Sequence, residues 1–276
     1  MTKRILIAED DRTTRHLLSR TLKNAGFSVA TAKDGVEGLQ KLKAEPFDLV
    51  LLDIWMPRMN GLELLAQMRL QGAPAKAIVM TSDTTPETLL QAVREQAYRY
   101  LSKPVEPKEL VAMVHSALEA APADPIEVLS ARPEWVELLV PCTVDAAERI
   151  QGFMACLDAG LSEEIRDSVG RVFHEMLLNA VEWGGRLDPN RKVRVSCLRA
   201  RRMVMYRIAD PGPGFKIEDL AHAAAGQPAD RPVDHLEVRA AKGLRPGGFG
   251  IVMARAMVDE LLYNEARNEV AFVKYL

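Results

Sequence analysis

Three acidic residues follow short apolar runs: Glu9 and Asp10 after residues 5–8, and Asp53 after residues 49–52. Carboxylates that converge repel one another unless a cation joins them. An all-oxygen set with few carboxylates suits Mg²⁺. Thr81 closes a fourth apolar run and Lys103 follows a fifth, so a hydroxyl and an ammonium reach the same end. A cis peptide before Pro104 would aim that lysine. A second set lies further along the chain. Glu175 and Asn179 are four apart in a helix-like run, so both project from one face. A carboxylate and an amide oxygen so placed can poise a nucleophile and hold a metal ion. Asp210-Pro-Gly-Pro-Gly-Phe215 offers an acceptor for an exocyclic amine such as that of adenine, beside glycines that let backbone approach a ligand. Arg245-Pro-Gly-Gly-Phe-Gly-Ile251 runs into a last helix, and Gly-rich backbone at a helix N-terminus is a phosphate site.

These residues need elements to position them. Apolar runs near 5–8, 29–32, 49–52, 77–80 and 98–101 alternate with amphipathic stretches near 12–24, 34–43, 61–70, 86–95 and 107–119. Five such units in series predict a parallel sheet with helices on both faces. Ligand sites in open α/β sheets lie at the carboxyl ends of the strands, where the first set of residues falls. The Pro-rich, small-residue segment at 120–125 reads as a linker. Beyond it the pattern changes: a strand at 136–140, long helices near 144–157 and 162–182, and strands near 192–199 and 202–209. A loose stretch at 216–246 follows, then a helix near 249–258 and strands near 260–264 and 269–275. That order predicts an α+β sandwich. The expected division is a domain at 1–120, a linker at 121–132 and a domain at 133–276.

Of 276 residues, 27% are charged and 48% hydrophobic, with a net charge of −2. The longest uncharged stretch is ten residues, 220–229, and a membrane-spanning helix needs about 20 apolar ones. The N-terminus shows no apolar core of signal-peptide length. Three cysteines without a close pair argue against a disulfide framework or cysteine-rich zinc site, and fit a reducing cytoplasm. Residues 1–120 carry 16 basic and 15 acidic side chains, and residues 121–276 carry 20 and 23. Neither half is basic and no helix-turn-helix pattern occurs, so no nucleic-acid partner is expected. Met203, Met205, Met253 and Met257 read as core filler.

The first set closely resembles the receiver domain of two-component response regulators. The matching pieces are Ile5-Leu-Ile-Ala-Glu-Asp-Asp11, Leu51-Leu-Asp-Ile-Trp-Met-Pro57 with Asn60-Gly61, Met80-Thr81-Ser82 and Tyr100-Leu-Ser-Lys-Pro104. The resemblance covers about residues 3–119 and implies a doubly wound, flavodoxin-like (βα)₅ fold. It makes Asp53 the phosphoacceptor, with Glu9, Asp10, Asp53 and the Trp55 carbonyl holding Mg²⁺. Thr81 and Lys103 would bind phosphoryl oxygens, and Tyr100 would report the phosphorylation state. The implied partner is an upstream histidine kinase or phosphotransfer protein.

Residues 133–276 resemble the Bergerat, or GHKL, ATP-binding fold, most closely that of anti-sigma-factor serine kinases. Asn179-Ala-Val-Glu-Trp-Gly184 resembles their Asn-Ala-x-x-His-Gly pattern, and the segments around Asp259-Glu260 and Asn268-Glu-Val270 their C-terminal strands. The resemblance makes Asn179 an Mg²⁺ ligand and Asp210 the adenine acceptor. Gly212, Gly214, Gly247, Gly248 and Gly250 would shape the pocket and lid, and 216–246 would be the lid over ATP. Three positions depart from the family: Trp183 replaces a usual histidine, Arg267 a usual glycine, and Ala271 a frequent hydroxyl. No Gly-x-x-x-x-Gly-Lys-Ser/Thr occurs, which excludes a P-loop NTPase.

The expected activity is therefore a serine/threonine protein kinase controlled by Asp53 phosphorylation. Glu175 would be its general base and Arg245 its charge-neutralising arginine, with Arg239 and Lys242 as rivals. By resemblance, the substrate is an anti-anti-sigma protein and a sigma factor a further partner. Both resembled families often dimerise, so a homodimer is also expected. The alternatives are a non-catalytic nucleotide- or partner-binding module and a histidine-kinase-type ATP domain. Histidine kinases usually carry Asn where Glu175 stands. They also need a motif that His174-Glu175 begins and Met176-Leu-Leu-Asn179 does not continue.

Overall fold

The computed structural model describes residues 2–82, 85–120, 124–132, 134–216 and 249–276. The chain divides into two compact units, residues 1–126 with 152–157 and residues 127–151 with 158–276. The first unit alternates strands and helices: β1 (Arg4–Ala8), α1 (Arg12–Asn24), β2 (Ser28–Ala32), α2 (Gly35–Ala44), β3 (Leu49–Asp53), α3 (Gly61–Leu70), β4 (Lys76–Thr81), α4 (Pro86–Arg94), β5 (Arg99–Ser102) and α5 (Pro107–Glu119). The strands form one parallel sheet in the order β2-β1-β3-β4-β5. The strand order reverses between β1 and β3, which opens a crevice at their carboxyl ends.

Burial explains the apolar runs. All five residues of β3 are buried, as expected of a parallel strand covered on both faces. On one face Ile5, Ile7, Leu49, Leu51, Ile78 and Met80 pack with Leu18 and Leu22 of α1 and Leu110 and Val114 of α5. Each such aliphatic side chain contributes about 1.5–3 kcal/mol on burial. On the other face α2 sits close to the sheet: a Cβ on Gly38 would lie 2.9 Å from Leu64 and 3.8 Å from Ala8. The helices begin where the chain supplies caps. Asp11, Asp34 and Asn60 accept the amides of Thr14, Glu37 and Glu63, and prolines occupy the first turn of α4 and α5.

From residue 127 the elements are β6 (Glu127–Arg132), β7 (Trp135–Pro141), α6 (Val144–Leu157), α7 (Glu163–Asn179), β8 (Lys192–Ala200), β9 (Met203–Ala209), α8 (Gly250–Met257), β10 (Glu260–Tyr263) and β11 (Glu269–Tyr275). The strands make an antiparallel sheet in the order β10-β11-β9-β8-β7-β6. Val193, Val195 and Cys197 on β8 and Val204, Tyr206 and Ile208 on β9 are buried. Val169, Val172, Phe173 and Met176 form the buried stripe of α7. The Tyr206 ring packs against Phe173 at 5.1 Å and Phe272 at 5.3 Å between centroids. Its hydroxyl donates to buried Asp158, whose other oxygen is 3.3 Å from Arg199.

Two local readings change. Residues 127–132, taken above as the end of the linker, are the edge strand β6, paired with β7 through a register shift between Val128 and Ser130. Its ends are charged and its sides only half-buried, so it lacks the apolar alternation that marks inner strands. The long helix expected to reach 182 is α-helical only to Asn179. A π-helical turn, Ala180–Gly184, follows it.

Candidate functional site

At the carboxyl edge of the parallel sheet, Glu9, Asp10 and Asp53 each offer an oxygen within 4.8 Å of the others. Glu9 and Asp53 are buried and Asp10 is exposed. Lys103 Nζ lies 2.8 Å from both Glu9 Oε2 and Asp53 Oδ1. Its amide donates to the Thr81 carbonyl at 2.9 Å, and the Lys103–Pro104 peptide is cis. Thr81 is fully buried and Tyr100 nearly so. Glu9 and Asp10 follow β1, Asp53 ends β3, Thr81 ends β4 and Lys103 follows β5, so strand register brings the five together. Two further residues brace the group: Arg15, which sequence reasoning missed, and Gly61, which it quoted only as part of a matching pattern. Arg15 Nη1 donates to the Glu9 and Asp10 carbonyls at 2.6 and 2.9 Å. Gly61 lies so close to β3 that a Cβ there would fall 2.1 Å from the Asp53 carbonyl oxygen.

Burial raises the carboxyl pKa of Glu9 and Asp53, and the hydrogen bond from Lys103 only partly offsets it. Burial by itself would lower Lys103, but its bonds to Asp53 and Glu9 outweigh that and hold it above its ordinary value. Three carboxylates against one ammonium leave the crevice net negative. Glu9 Oε2 is buried, with the Lys103 ammonium 2.8 Å away as its ion-pair partner. A divalent cation would supply the missing positive charge and take the three clustered carboxylate oxygens as ligands, so these residues fit Mg²⁺.

In the second unit, Glu175 and Asn179 lie one turn apart on α7, both half-buried. Glu175 reaches the first residue of α8, where a Cβ on Gly250 would lie 2.3 Å from its Oε1. Asp210, just after β9, accepts the Gly212 amide at 2.7 Å. Burial raises its carboxyl pKa. The π-helical turn brings Gly184 against it: a Cβ on Gly184 would lie 2.1 Å from Asp210 Oδ1. Gly214 has φ +83°, and a Cβ there would meet the Ala266 carbonyl at 1.6 Å. Asn268 closes the floor, with its carbonyl accepting from the Asp210 amide at 2.8 Å and its side chain donating to Gly212 O at 3.0 Å.

Gly184, Asn268 and Arg191, which donates to the Pro211 carbonyl, were not singled out as site residues by sequence. For Gly184 the signal was its place in the Asn179–Gly184 pattern. Arg267, at the position of a usual glycine, has φ +58°, the left-handed conformation that glycine adopts most cheaply. Arg245, Gly247 and Gly248 lie outside the described residues, as do Arg239 and Lys242.

Residues 5–115 match the response regulator receiver domain. The DNA-binding response regulator MtrA of Mycobacterium tuberculosis (strain ATCC 25618 / H37Rv) is 31% identical over 205 residues, 73% of this chain and 88% of that protein. The chain belongs to the response regulators. Response regulator MprA of Mycobacterium bovis (strain BCG / Pasteur 1173P2) is 35% identical over 133 residues, 48% of this chain and 58% of that protein. The crystal structure of a CheY-like receiver domain protein from Methanospirillum hungatei JF-1 is 33% identical. It matches with a TM-score of 0.42, over 43% of this chain and 95% of that one. Residues 140–274 of this response regulator match the histidine kinase-like ATPase domain. It is thus a receiver fused to a GHKL-type ATPase domain, a class that binds ATP, usually with Mg²⁺. No described helix is long and apolar enough to cross a membrane.

Proposed function

We propose that this response regulator is a phosphorylation-controlled serine/threonine protein kinase. In the first step Asp53 acts as nucleophile toward a phosphodonor such as the phosphohistidine of an upstream kinase. An Asp53 oxygen bonds to phosphorus as the donor's P–N bond breaks. Lys103 and Thr81 would take the phosphoryl oxygens, and Glu9, Asp10, Asp53 and the Trp55 carbonyl would hold Mg²⁺. The cation supplies charge neutralisation when bound.

In the second step the acceptor is a protein hydroxyl and the donor is ATP. Asp210 would receive the adenine amine and Asn179 would hold the nucleotide's Mg²⁺. Glu175 would take the hydroxyl proton as that oxygen bonds to the γ-phosphorus and the bond to ADP breaks. The observation that carries this reading is the contact of Glu175 with Gly250 at the N-terminus of α8. Helix N-termini bind phosphate, so the carboxylate lies at the phosphate end and Asp210 marks the other. Arg245 remains the proposed neutralising arginine. A small anti-anti-sigma protein is the proposed substrate and a sigma factor a downstream partner.

Glu175→Gln tests this reading. Losing a general base costs about 10²–10⁴ in rate, whereas ground-state binding should hold within roughly 1 kcal/mol. ATP affinity by calorimetry should be nearly unchanged and transfer to the protein substrate nearly abolished. Transfer at the parent rate would remove Glu175 from the chemistry. ATP binding without transfer by the parent would favour a non-catalytic output.

A further inference from the structure

The loop after Asp53 is fastened at both ends, and one fastening lies outside the acidic cluster. At its neck the Gly61 amide donates to Ile54 O at 2.9 Å. At its far end Arg58 Nη2 donates to Asp34 Oδ2. The Asp34 side chain is 2% exposed, and its other oxygen accepts the Glu37 amide at 2.9 Å, capping α2. Next to that pair the Gly35 amide donates to Met59 O at 3.0 Å, and a Cβ on Gly35 would lie 2.5 Å from the same oxygen. Arg58 has φ +67°. A non-glycine residue there costs on the order of 1 kcal/mol or more and persists only when its surroundings hold it. Around it are the charge-assisted hydrogen bond to a buried carboxylate and the backbone bonds of Met59 to Gly35 and Pro57. Between the two fastenings lies Trp55, whose carbonyl is the expected fourth cation ligand.

We propose that the Arg58–Asp34 ion pair is a positioning device for the phosphorylation site: it holds the loop carrying the Trp55 carbonyl and so sets divalent-cation affinity without touching the acidic cluster. The proposal rests on the reading of Glu9, Asp10 and Asp53 as the cation site. Removing a group that orients a metal ligand through other residues typically costs about 10–100-fold in metal affinity. Glycine is the substitution that isolates the side chain, because it accepts the left-handed backbone that Arg58 occupies. Arg58→Gly thus avoids a distorted turn, and Arg58→Lys with the melting temperature separates loss of the guanidinium from a loosened backbone. Asp34→Asn is the complementary variant, since it keeps an oxygen for the α2 cap.

The experiment is Mn²⁺ binding to the full chain, read by electron paramagnetic resonance of free Mn²⁺, with melting temperature followed in parallel. Arg58→Gly and Asp34→Asn should each weaken Mn²⁺ about ten-fold. The double variant should be no weaker than either single one, because both remove the same interaction. Arg58→Lys should recover part of the affinity. Parent-like affinity in Arg58→Gly, or losses that add in the double variant, would overturn the proposal. Weakening that follows melting temperature across all the variants, Arg58→Lys included, would also overturn it. Asp53→Asn separates this from failure of the cation-site reading. If Mn²⁺ binding is indifferent to Asp53, that reading falls and the proposal with it. If it depends on Asp53 but not on Arg58, the proposal alone falls.

Discussion

Asp53 is buried beside Lys103 and backed by Gly61. A small phosphodonor, or beryllofluoride with Mg²⁺, should load the chain at this residue. Asp53→Asn should erase the added mass in intact-protein mass spectrometry, and a persistent adduct would place the acceptor elsewhere. The second unit offers a sharper steric test. A Cβ on Gly184 would overlap the Asp210 carboxylate, and that carboxylate is already held by the Gly212 amide. Gly184→Ala should therefore displace the proposed adenine acceptor and weaken ATP about ten-fold, near 1.4 kcal/mol. Equilibrium dialysis with labelled nucleotide would check it. Asn179→Ala should act differently, weakening Mg-ATP more than metal-free ATP, because the side chain removed is the proposed metal ligand.

Helix termini set the positions of both groups. The α2 N-terminus depends on Asp34, where burial would raise the carboxyl pKa but the Arg58 hydrogen bond and the Glu37 amide outweigh it and hold it low. A carboxyl depressed on folding contributes stability that is present above its ordinary value, about 3.9. That contribution is lost as the pH falls through the lower folded value. Acid unfolding followed by circular dichroism should therefore be less steep in Asp34→Asn than in the parent over this acidic range. Removing the cap altogether with Asp34→Ala should cost about 1 kcal/mol more at neutral pH. The π-helical turn after α7 has a similar positional role: it departs from α-helical register where Gly184 must meet Asp210. Such turns occur often at functional sites.

At the scale of the whole molecule, a receiver controls its output only if loading one site changes the free energy of the other. Such coupling is reciprocal for binding. If beryllofluoride at Asp53 shifts ATP affinity by some factor, ATP must shift beryllofluoride affinity by the same factor. Paired calorimetric titrations on the full chain should give equal, non-unit factors of about 5–150. A factor of one in both directions would mean that phosphorylation acts on catalysis or on partners and not on nucleotide binding.

The parallel sheet was legible from sequence because β3 and its neighbours are buried on both faces and read as unbroken apolar runs bounded by helix caps. Strand-end placement then made Glu9, Asp10, Asp53, Thr81 and Lys103 converge, since residues at one end of a sheet meet whatever their separation in sequence. The proposed nucleotide-site residues of the second unit stand in short patterns because close backbone approach demands glycine. β6 was not legible, because an edge strand buries little. Nor were the roles of Gly184 and Asn268, whose partners Asp210 and Gly212 lie far away in the chain. The left-handed turn at Arg58 and its pairing with Asp34 were hidden for the same reason. Local sequence encodes which element forms and how it is capped. Which carboxylate a distant arginine reaches, and which glycine has no room for a Cβ, is decided only when the elements pack.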